Sequence, residues 1–122
     1  MVPNGKLRIL IVEDQPMVAD ALKLVLKIEG YEVQTAENWR EAMALFQPGK
    51  FAVVFTDYNM PERNGHELAS LIRAQESRQP IILVTGYSDL ARAYASADVN
   101  RVLEKPWTVE DIRAAINDAL KA

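Results

Sequence analysis

Among its 122 residues the chain has no cysteine and a single histidine, His66. The missing thiols exclude a disulfide framework, an iron–sulfur cluster, a thiolate zinc site and a cysteine nucleophile. One imidazole cannot supply a zinc ligand set, and His66 reads as a solvated loop residue with no catalytic task. No apolar run approaches the ~20 residues of a membrane span, and the opening MVPNGKLR lacks the apolar region of a signal peptide. Lys and Arg are not clustered and the net charge is −3, so a surface that neutralises nucleic-acid phosphates is not expected. Also lacking are a Gly-rich loop of the Walker type and a Ser/His/Asp arrangement. These absences leave a cytoplasmic protein with no direct nucleic-acid or membrane contact as the expectation.

What is present is an ordinary globular composition, 49% hydrophobic and 25% charged, at a length that suits a single domain over residues 1–122. Five β-rich runs, at 7–12, 31–35, 52–56, 81–84 and 101–104, alternate with five helical patterns. The first helix, 16–29, carries Val18, Ala21, Leu22, Val25 and Leu26 at helical spacing and stops at Gly30. The second opens with the capping pattern at Asn38 and Glu41, the fifth with that at Thr108 and Asp111. The third (65–74) and fourth (88–97) have softer boundaries. LRILIV, AVVF and IILV are almost continuously apolar, as parallel strands covered on both faces must be. The expectation is an α/β fold, a doubly wound five-stranded parallel sheet in the flavodoxin-like (βα)5 arrangement with strand order 2-1-3-4-5.

In such a sheet ligands bind at the carboxyl ends of the strands. Those ends here bear Glu13 and Asp14, Glu37, Asp57, Thr85 and Lys105. Strand two lies at an edge, so Glu37 falls outside while Glu13, Asp14 and Asp57 converge. Three convergent carboxylates repel one another and raise their own pKa values unless a cation intervenes. Mg²⁺ suits them, because it takes a few carboxylates and leaves room for phosphate oxygens. Lys105 adds a positive charge and Thr85 a neutral donor for a phosphoryl group. With other nucleophiles excluded, a carboxylate must accept the phosphoryl group, as acyl phosphates allow.

The acidic pair in VEDQP, the D-x-x-M-P-x-x-x-G pattern in DYNMPERNG, the Thr in LVTGYSD and the Lys-Pro in LEKPW occur in order and at the right strand ends. Taken together they make the whole chain resemble the receiver domains of two-component response regulators. The resemblance implies that Asp57 accepts a phosphoryl group from a phosphohistidine on a sensor histidine kinase or histidine phosphotransfer protein. It further implies Mg²⁺ ligation by Asp14, Asp57 and the backbone carbonyl of Asn59, with Glu13 holding a coordinated water. Lys105 would pair with the phosphate and Thr85 would bond to it on switching. A cis Lys105–Pro106 bond is also implied.

One departure is Val102, which stands where receiver domains commonly place Tyr or Phe, three residues before the Lys. Tyr87 and Asn59 are read as flanking the approach of hydrolytic water. Gly65 is read as a conformational position, through a positive φ or close packing. Trp39 and Trp107 are read as packing residues. Two other functions compete. A small aspartyl-nucleophile phosphatase would need a second acid two residues beyond Asp57, where Asn59 stands. A non-phosphorylated pseudo-receiver would not need Asp57, Lys105 and Thr85 together. The oligomeric state is left open.

Overall fold

A computed structural model describes residues 6–86, 89, 92, 93 and 98–121. Five parallel strands, β1 (Arg8–Val12), β2 (Glu32–Ala36), β3 (Val53–Asp57), β4 (Ile81–Thr85) and β5 (Arg101–Glu104), form one sheet in the order β2-β1-β3-β4-β5. This is the expected order, with boundaries moved by a residue or two. All five residues of β3 and of β4 are buried, as the continuous apolar runs require, whereas edge strand β2 exposes Gln34 and Thr35.

The described helices are α1 (Pro16–Ile28), α2 (Trp39–Leu45), α3 (Gly65–Gln75) and α4 (Val109–Lys121). The helix expected over 88–97 and Tyr87 lie outside the described residues, apart from Asp89, Arg92 and Ala93; α4 is therefore the fifth helical pattern of the sequence. α1 and α4 cover one face of the sheet around Ile9, Phe55, Leu103 and Ile112, and α2 and α3 cover the other around Leu10, Val54, Leu68 and Ile72.

Helix ends follow local chemistry. α1 stops at Gly30, whose φ of 98° lets its N–H reach the Lys27 carbonyl while the Tyr31 N–H reaches that of Leu26. Asn38 Oδ1 accepts from the Glu41 N–H at 2.9 Å, and Thr108 and Asp111 make the reciprocal pair that opens α4. A capping box, Asn64 with Glu67, starts α3 and was not anticipated. His66 belongs to the first turn of that helix, not to a loop, and is half-buried edge-on against Tyr58 with ring centroids 5.0 Å apart. Among the described residues no helix is long and apolar enough to cross a membrane.

Candidate functional site

Strand register brings the chemistry together. Asp57 is the last residue of β3, opposite Val84, and Glu13 follows β1 with its N–H on the Ala36 carbonyl at 3.0 Å. Lys105 follows β5 and extends its ladder, its N–H donating to the Thr85 carbonyl at 2.8 Å, before the cis Lys105–Pro106 bond turns the chain. The sheet therefore holds these backbones rigidly, and their side chains meet at its carboxyl edge.

One carboxylate oxygen from each of Glu13, Asp14 and Asp57 lies within 4.8 Å of the other two. Glu13 and Asp57 are 5% and 7% exposed, so water screens little of their repulsion. The Lys105 ammonium reaches both, 3.2 Å from Asp57 Oδ1 and 3.4 Å from Glu13 Oε1. One cation does not balance three carboxylates. Burial first, and then the Asp57 charge, push the Glu13 carboxyl up to about 7. Burial likewise raises Asp57, with Lys105 pulling in the opposite direction. An all-oxygen, acid-rich donor set with no imidazole or thiolate fits a hard divalent cation.

The remaining expected residues are placed differently. Thr85 is buried, with its hydroxyl donating to the Gly86 carbonyl at 3.2 Å. Asn59 is exposed in the loop that leaves β3. Glu37 is exposed beyond the edge strand β2, outside the cluster, as expected. Val102 is buried with Tyr58, Leu83 and Ala93.

Sequence reasoning missed what holds the loop after Asp57. Arg40 makes a bidentate pair with Glu62, both contacts at 2.7 Å, and Glu62 sits at a φ of 69°. Two guanidinium groups stand over the Trp39 ring, with Arg63 4.5 Å and Arg40 5.1 Å from its centroid. Gly65 closes the same loop, donating its N–H to the Tyr58 carbonyl at 2.8 Å. A Cβ there would stand 2.3 Å from Leu83 Cδ1 and 2.7 Å from the Asp57 carbonyl oxygen, so close packing is what demands glycine. The clustered Asn64, Gly65 and Glu67 were the available signal for this junction.

The sequence and the fold both match known proteins. The sequence matches the family model of the response regulator receiver domain over residues 9–117. It is 32% identical over 115 residues to the uncharacterized transcriptional regulatory protein YkoG of Bacillus subtilis, covering 93% of this chain and 50% of that protein. The chain spans half or less of the first curated relatives it matches. A response regulator receiver domain protein from Clostridium thermocellum superposes with a TM-score of 0.90 at 30% identity, covering 94% of each chain. The response regulator TrrA from Thermotoga maritima, solved in complex with Mg²⁺ and BeF, gives 0.85 at 34% identity over 93% of this chain and 99% of that one. By sequence and by fold, this chain belongs to the response regulator receiver domain family.

Proposed function

We propose that Asp57 is the phosphoacceptor of this receiver domain, and that the domain comprises residues 1–122. The observation that carries the reading is the ion pair between Lys105 and Asp57, at 3.2 Å, inside a buried acidic trio at the carboxyl edge of the sheet. An Asp57 oxygen attacks the phosphorus of a phosphohistidine. The new O–P bond forms as the P–N bond breaks, and the electron pair returns to the imidazole nitrogen, which takes a proton from water. The donor is a sensor histidine kinase or a histidine phosphotransfer protein, met in the cytoplasm.

Lys105 is the fixed cation beside the accepted group and offsets charge on its oxygens. The Thr85 hydroxyl, engaged by Gly86 in this state, turns to a phosphoryl oxygen once Asp57 is modified. Glu13, Asp14, Asp57 and the Asn59 carbonyl would hold Mg²⁺, as the oxygen-only donor set permits. When bound, the ion neutralises the carboxylates and polarises the phosphoryl oxygens. The Mg²⁺ and BeF complex of TrrA supports this assignment.

Incubation with acetyl phosphate and Mg²⁺, followed by intact mass measurement, tests the proposal. The parent gains one acid-labile phosphoryl group, whereas Asp57→Asn gains none and Asp14→Ala gains little. Full labelling of Asp57→Asn, or labelling of the parent in excess chelator, overturns it.

A further inference from the structure

α1 is apolar on two opposite faces. Its inner face, Ala19, Leu22 and Leu26, is buried in the core. Its outer face carries Met17, Ala21, Leu24 and Ile28, with Met17 86%, Leu24 60% and Ile28 74% exposed. Their spacing of four, three and four residues is that of a coiled-coil seam, and it runs the length of the helix. α4, also 13 residues long and packed on the same sheet face, instead turns Glu110, Asp111, Arg113, Asn117 and Asp118 outward, with Leu120 its one large exposed apolar side chain. The outer apolar stripe is therefore a property of α1, not of that layer.

The charges beside the stripe identify its occupant. Asp20 and Lys27 are exposed on one flank, a turn-matched seven residues apart, and neither is in an ion pair among the described residues. When two such helices pack antiparallel, Ala21 meets Leu24 of the partner subunit and Met17 meets Ile28 of the partner subunit. That register places Asp20 opposite Lys27 of the partner subunit on one flank, and Val18 opposite Val25 of the partner subunit on the other. Both flanks match at once. A parallel pairing sets Asp20 against Val25 of the partner subunit and leaves the charges unused. An apolar hollow of about 330 Å³, lined by Met17, Val18, Ala21, Pro106 and Trp107, lies at the end of the stripe where the partner's Ile28 arrives.

We propose that α1 is the seam of a two-fold antiparallel dimer of this chain. The contact is isologous, each copy presenting the same patch. A single pair of 13-residue helices falls at or below the ~1,200 Å² lower limit of stable interfaces, so the dimer is weak and forms at high local concentration. Lys105 also lines the hollow, which places the seam next to the phosphoacceptor cluster, although the seam itself does not depend on that assignment.

Sedimentation velocity across about 10 μM to about 500 μM tests this, a range suited to an association of such small area. The parent moves from monomer to dimer across the range. Leu24→Glu stays monomeric with an unchanged circular dichroism spectrum, because Leu24 points outward. Asp20→Lys weakens the dimer severalfold, and combining it with Lys27→Asp restores the parent's association. A monomer at every concentration overturns the proposal, and so does a double variant no better than Asp20→Lys. A Leu24→Glu variant that alters only the rate of phosphoryl transfer from a histidine donor overturns it too, and assigns the stripe to the donor's helix.

Discussion

Strands β4 and β5 have a polar cluster at each end, and the two are built on opposite principles. At the amino end, Arg73 donates to the carbonyls of Asp98 and Ser77, each at 2.8 Å, and to Asn100 Oδ1 at 2.7 Å. The same Asn100 oxygen accepts from the Ile81 N–H, while Ser70 donates to Asp98 Oδ2 at 2.6 Å. Each nitrogen of the guanidinium has a partner, and the network fastens α3 to the turn that enters β5. At the carboxyl end, three clustered carboxylates have one Lys105, which pairs with Glu13 and Asp57, and these two carboxyl groups are raised by their own burial. A satisfied network adds to stability; a frustrated one costs stability, and an unbalanced acidic cluster is where a cation has most to neutralise. A dense polar cluster alone therefore does not mark function, whereas buried charge left unbalanced is the feature that singles out the carboxyl end.

The largest effect that sharpens this contrast is the pH dependence of the acidic end. Glu13 rises from an ordinary 4.5 to about 7 in the folded chain, so the folded state holds this proton more tightly than the unfolded state does. The resulting stability is fully present below about pH 4.5 and is lost as pH rises through about 7, a change of up to about 3 kcal/mol. Urea unfolding without divalent cations shows it as a stability that falls across that window more steeply in the parent than in Glu13→Gln, where the raised Asp57 carboxyl still contributes. A parent curve parallel to that of Glu13→Gln breaks the comparison. Saturating Mg²⁺ flattens the parent curve as well.

Arg73→Ala comes next. It leaves Asn100 and two carbonyls short of their donor, at a cost of about 2 kcal/mol in urea unfolding. Arg73→Lys recovers little, because one ammonium cannot span three acceptors set for a planar fork. The mirror experiment at the other end has the opposite sign. Asp57→Asn removes one charge from the repelling trio and stabilises the chain by about 1 kcal/mol at pH 7, read as a higher midpoint at constant slope. If both substitutions destabilise equally, the two ends are not different in kind.

The frustrated end was legible in the sequence, and the satisfied end was not. Glu13, Asp14, Asp57, Thr85 and Lys105 each stand at a strand end, and strand ends are set by apolar runs that can be read directly. The alternation of strands with helices implies a doubly wound parallel sheet, and the flavodoxin-like order assumed for it is the one observed. Arg73, Ser77, Asp98 and Asn100, by contrast, come from α3, the turn after it and the segment before β5. Their meeting depends on the length and direction of α3, which carry no motif. The Arg40 and Glu62 brace is hidden for the same reason, since it joins α2 to a loop 22 residues away. His66 was misread as a solvated loop residue although the helix expected over 65–74 already contains it, and the Tyr58 contact that half-buries its ring carries no motif.

The smallest effect tests whether the two ends communicate. Thr85 and Asn100 are joined to the same strand pair, and Val102 lies between Asn100 and Lys105 on β5. An aromatic residue at position 102 could transmit a change by swapping between exposed and buried rotamers. Val102 is 8% exposed and packed against Tyr58, Leu83 and Ala93, so it has neither the ring nor an outward position to exchange. The Arg73 network, bonded through all three guanidinium nitrogens, resists any remaining displacement. Adding Mg²⁺ with beryllofluoride should therefore shift the amide resonances of Thr85, Gly86 and Lys105 strongly. Those of Ile81 and Asn100, four residues back along β4 and at the entry to β5, should shift by only a small fraction of that. Arg73→Ala should enlarge the response at Ile81 and Asn100 while leaving that at Thr85 unchanged. Comparable shifts at both ends of the parent would show that the stable cluster is part of the switch and not its anchor.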